Sequence, residues 1–143
     1  MFISKYNTIA KREKNHKNAI IAPKKEKTMQ KENLLIVIAT DDRDSILKFP
    51  LLYGGVALPR GYWKRVHIMF WGASIQTLVS DETVQQKVQT MLQEGVEFSS
   101  CIVCANEYHA TQKLEALGVV CNHTGELLTT ALQNDRDWAL LTL

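Results

Sequence analysis

Leu34-Leu35-Ile36-Val37-Ile38-Ala39 is an unbroken apolar run with no polar residue in alternation. A strand with one wet face alternates; a strand buried on both faces does not. The run therefore predicts a central strand in a sheet covered on both sides. It is also the longest apolar run in the chain, far short of the roughly 20 residues a membrane-crossing helix needs.

Outward from this strand, Thr40-Asp41-Asp42-Arg43-Asp44 is a polar turn rich in helix-capping residues. Ile46, Leu47, Leu51, Leu52, Tyr53 and Val56-Ala57-Leu58 predict an imperfect helix, with a kink or short first turn at Pro50. Val66–Trp71 predicts a second strand, and Gly72-Ala73-Ser74 a tight exit turn. Ile75, Leu78 and Val79 begin a short helix. Asp81 is placed to cap the next, in which Val84, Val88, Met91 and Leu92 recur at helical spacing. Val96–Cys101 predicts a third strand, followed by a helical stretch to Leu117 broken near His109. Val119–Cys121 is a short fourth strand, Gly125–Gln133 a short helix and Trp138–Leu143 a last strand. Strands alternating with helices predict an α/β fold, a three-layer α/β/α sandwich around a mainly parallel five-stranded sheet. Sites in such sheets lie beyond the carboxyl ends of the strands.

Charge divides the chain. Its 143 residues carry 17 Lys+Arg and 15 Asp+Glu. Residues 1–33 hold a net +6 and residues 34–143 a net −4. The first 32 residues read as a basic, disordered leader. They are either an arm for an acidic partner or, since Met29 falls just before the first strand, sequence upstream of a natural start. His16 lies in this leader. The body, 33–143, is one domain, mildly acidic, and lacks the clustered positive face that neutralises phosphates, so no nucleic-acid partner is expected.

Cys101-Ile102-Val103-Cys104 falls where a strand hands over to a helix. A helix N-terminus lowers a thiol pKa, and a neighbouring thiol can resolve a bond formed on the first. Two buried structural thiols are the plain alternative. Cys121 and His123 extend the set to Cys-x2-Cys-x16-Cys-x-His, which also has the donors for tetrahedral zinc. Around this edge, Trp71 and Tyr108 are candidates to wall a pocket, Ser74 to bind an anion at a helix start, and His109 to approach the thiol as a base. His67, in mid-strand, reads as packed or paired. No dinucleotide fingerprint, phosphate loop or nucleophile elbow is present. Asp41, Asp42 and Asp44 read as caps.

Several motifs, in order, resemble the DsrE-like family. They are Leu34–Thr40, Gly61-Tyr62-Trp63 before a strand ending Phe70-Trp71-Gly72-Ala73-Ser74, Glu94-Gly95-Val96, Cys101-x-x-Cys104-Ala105, Lys113-Leu114-Glu115-x-Leu117-Gly118, Gly125-Glu126-x-Leu128-Thr129 and the Trp138 strand. Two positions depart from the pattern: His109 stands where relatives often have Gly, and Cys121 where they usually have an apolar or polar residue without a thiol. The resemblance implies a trimer or hexamer of α/β/α domains carrying persulfide sulfur on the cysteine that ends the third strand, here Cys101. The expectation is a cytoplasmic sulfur carrier that takes sulfur from a donor protein and gives it to an acceptor, with no cofactor, metal or membrane. In it Cys104 resolves the persulfide and Ser100 with the following helix start stabilises the anion. The competing expectation is a non-catalytic oligomeric binding or thiol redox-sensing module built on Cys101 and Cys104, with Gly61-Tyr62-Trp63 as an assembly surface.

Overall fold

Five parallel strands form one sheet: β1 (Asn33–Ile38), β2 (Arg65–Phe70), β3 (Glu97–Cys101), β4 (Val120–Asn122) and β5 (Trp138–Thr142), in the order β4-β3-β2-β1-β5. This is a computed structural model, and it describes residues 30–143. The readings of the leader, His16 and Met29 included, lie outside the described residues.

The apolar run is β1, an interior strand between β2 and β5, with Leu34 to Ile38 all buried. It turns into α1 (Arg43–Lys48), where the Asp42 carboxylate accepts from the amides of Asp44 and Ser45. The kink at Pro50 is a full break: Pro50 opens a new helix, α2 (Pro50–Ala57), at a position where its missing N–H costs nothing. After β2 come α3 (Ser74–Ser80) and α4 (Glu82–Gln93), the latter capped by Asp81 through the Val84 amide. The stretch after β3 divides into α5 (Ile102–Glu107) and α6 (Thr111–Ala116) at His109, whose φ of 52° lies in the left-handed region. The last helix, α7 (Gly125–Gln133), has the predicted boundaries.

The two covering layers are unequal. Ile46, Leu51, Ile75, Leu78, Val84, Val88, Met91, Ala105 and Leu114, from α1 to α6, pack with Ile36, Ile68 and Phe98 in one cluster. On the opposite face Leu35, Val37 and Met69 meet Ala131, Leu127 and Leu128 of α7. The strand order explains this asymmetry. β1 to β4 are laid down in one direction across the sheet, so right-handed crossovers put all their helices on one face. The β4–β5 connection runs back past β3, β2 and β1, so the same handedness sends α7 to the other face.

Gly61-Tyr62-Trp63 links α2 to β2, with Gly61 and Tyr62 exposed and Trp63 half-buried. The Trp63 indole N–H donates to Tyr53 Oη at 2.9 Å, and the Tyr53 and Tyr62 rings stack 6.5 Å apart.

Candidate functional site

The helices after β3 and β4 leave to opposite faces, which opens the carboxyl edge between these two strands. Cys101 ends β3 and stands in register with Asn122, the last residue of β4. Two residues further on, Thr124 begins the turn into α7. Cys101 and Thr124 thus both lie at the edge of β3 and β4 where the chain reverses its direction across the sheet.

Cys101 has non-helical backbone angles, φ −59° and ψ 117°, and leads directly into α5. It is 7% exposed. Burial pushes its pKa up, but the opposing groups prevail: the Cys104 amide, the Cys104 thiol, the Val103 amide and the Thr124 hydroxyl bring it below the ordinary thiol value. Cys104 moves the other way. Burial raises its pKa, and the hydrogen bond to Cys101, the charge of Cys101 and that of Glu107 add to this, against the Gly72 amide. Cys121 is also raised, by burial and by Glu115. One of the three thiols is therefore shifted toward the thiolate, its neighbour two residues on toward the thiol, and both are unbridged.

The remaining residues divide by face. Ser100 pairs with Phe70 and Cys121 in the ladder, and strand alternation points it away from Cys101, into the face covered by α1–α6. Its hydroxyl is buried and has no hydrogen-bond partner among the described residues. The expected role of Ser100 beside the Cys101 anion is therefore corrected: the amides of Val103 and Cys104 are there instead. Ser74 is also corrected. Its hydroxyl lies 2.6 Å from the Ile38 carbonyl and 2.9 Å from that of Trp71, and accepts from the Trp71 amide at 3.1 Å. That leaves it no hydrogen to offer an anion.

Trp71 packs against the cluster under α7, whereas Tyr108 packs against the larger cluster on the other face. They do not form two walls of one pocket. His109 is exposed at the α5–α6 corner, where its own amide donates to the Asn106 carbonyl, and no hydrogen bond joins its ring to either sulfur among the described residues. The zinc set is not assembled. Cys121 packs on the α1–α6 face and His123 is exposed, and no three His, Cys, Asp or Glu side chains converge to hold a metal among the described residues.

Thr124 was missed by sequence reasoning. It is 2% exposed and its Oγ1 has no hydrogen-bond partner among the described residues. The signal was available: it follows the fourth strand at the carboxyl edge, one residue beyond His123, just ahead of a predicted helix.

No known family model matches the chain, and no curated protein matches it. Two solved structures share its fold. A conserved protein of unknown function from Bacteroides thetaiotaomicron superposes with a TM-score of 0.74 at 28% identity, over 78% of this chain and 95% of that one. The YchN protein of E. coli superposes with a TM-score of 0.59 at 14% identity, over 80% of this chain and all (100%) of that one. The described domain therefore has the YchN fold, the architecture that the DsrE-like resemblance implied. No helix among the described residues is long and apolar enough to cross a membrane.

Proposed function

We propose that this YchN-fold domain is a sulfur carrier of the DsrE-like kind, with Cys101 as the acceptor of sulfane sulfur. The observation that carries the reading is the place of two unbridged thiols, Cys101 and Cys104, where β3 ends at the open edge of the sheet and α5 begins, with the Cys101 pKa shifted down and that of Cys104 up. The Cys101 thiolate attacks the outer sulfur of a donor persulfide, R–S–SH. The S–S bond breaks, Cys101–S–SH forms and the donor leaves as its thiolate. An acceptor thiolate then takes that outer sulfur in the same way and restores the Cys101 thiolate. Alternatively Cys104, once deprotonated, attacks the inner sulfur, giving the Cys101–Cys104 disulfide and hydrosulfide. Sulfur donor and acceptor proteins, assembly of copies into a trimer or hexamer and a cytoplasmic location belong to the same proposal.

A second reading rests on the same pair. Two unbridged thiols two residues apart can serve as a reversible dithiol sensor. Intact-mass measurement of the reduced chain after exposure to glutathione persulfide separates the two. A carrier gains about 32 Da that dithiothreitol removes, placed on Cys101 by peptide mapping and absent from Cys101→Ser. A sensor takes no sulfur but loses two hydrogens under mild oxidant. Equal sulfur loading of Cys101→Ser and the unaltered chain would overturn the role of Cys101.

A further inference from the structure

We propose that the Thr124 hydroxyl is the hydrogen-bond donor that holds the anionic sulfur carried by Cys101. Cys101 and Asn122 are ladder partners at the ends of adjacent strands, and Thr124 follows at the α7 start. Its hydroxyl is buried and has no hydrogen-bond partner among the described residues, and it is one of the groups that lower the Cys101 pKa. A buried donor without a partner weakens the fold, because it has given up water for nothing. Here the missing acceptor has an obvious source. A neutral thiol is a weak acceptor; a thiolate, or the outer sulfur of a persulfide, is an anion and accepts strongly. The hydroxyl is thus unpaired in the resting thiol and paired in the charged state. The Val103 and Cys104 amides approach the same sulfur from the α5 side, so Thr124 supplies a donor from the β4–α7 side.

The part of this inference that concerns the persulfide rests on the sulfur-carrier reading; the part that concerns the thiolate does not. Thr124→Val keeps the shape and removes the hydroxyl, and Thr124→Ser keeps the hydroxyl. In the full chain, the rate of iodoacetamide alkylation mapped to Cys101 is followed against pH. The midpoint is expected to rise by about one pH unit in Thr124→Val and to return in Thr124→Ser. The persulfide formed with glutathione persulfide is expected to decay several-fold faster in Thr124→Val than in Thr124→Ser. Thermal melting supplies the readout that a merely structural role would move the other way: Thr124→Val is expected to melt at or above the temperature of the unaltered chain. An unchanged midpoint together with an unchanged persulfide lifetime would overturn the proposal. So would a Thr124→Val chain that is unfolded or melts lower, since its hydroxyl would then have had a structural partner. Failure of the unaltered chain to take up sulfur would sink the carrier reading and leave the alkylation arm to decide Thr124.

Discussion

His67 Nε2 lies 2.7 Å from Ser99 Oγ, a buried hydrogen bond between β2 and β3 on the face that α7 covers. The other ring nitrogen, Nδ1, is buried without a partner among the described residues. Burial therefore disfavours the charged ring. Burial pushes its pKa below the ordinary 6.5, Arg65 works in the same direction, and Glu97 opposes them. The unfolded chain then binds the proton more readily than the folded one, so stability rises with pH between the two pKa values. Urea unfolding is expected to show full stability above about pH 6.5 and a loss as pH falls below it, at no more than about 1.4 kcal/mol per pH unit. His67→Gln should flatten the slope in this window. A slope equal in both proteins would show that His67 is not its source.

Cys104 should behave as the resolving thiol. Its pKa is raised, first by burial and then by the bond and charge of Cys101, so it attacks slowly until deprotonated. Cys104→Ala is expected to load sulfur on Cys101 yet release hydrosulfide only at background level. The Cys101 alkylation midpoint should also rise, because one donor to its thiolate is lost. Hydrosulfide release at the unaltered rate would remove Cys104 from the mechanism.

Ser74 clamps the ends of β1 and β2. Its hydroxyl meets the Ile38 and Trp71 carbonyls and the Trp71 amide in a fully buried position. Ser74→Ala should cost about 1–2 kcal/mol in urea unfolding, without moving the Cys101 alkylation midpoint. A shifted midpoint would return Ser74 to the site.

His109 carries backbone strain. At φ 52° a side chain crowds its own backbone, whereas glycine is at ease there. His109→Gly is expected to stabilise the domain by up to about 1 kcal/mol, read by denaturant midpoint. The DsrE-like resemblance, in which glycine is common at this position, fits the same geometry. A destabilised variant would mean that the imidazole makes a contact worth more than the strain.

Local sequence determined the elements. An apolar run without alternation is a doubly covered strand because no other packing hides both its faces. Asp42 and Asp81 cap helices because a carboxylate beside free amides needs no distant partner. The left-handed corner at His109 was legible as a break in the helical pattern, and Cys101 as the end of the third strand. These features depend on neighbours in the chain.

Tertiary structure alone decided which side chains meet. Ser100 and Cys101 are adjacent in sequence but belong to opposite faces of the sheet, as do the packing sites of Tyr108 and Trp71. Ser74 reads as an open helix start until the Ile38 carbonyl, 36 residues away, occupies its hydroxyl. Thr124 approaches Cys101 from 23 positions along the chain, because the last crossover must return over the opposite face of the sheet. Faces and crossovers are set by the order in which strands pair, a long-range choice that composition and periodicity do not encode.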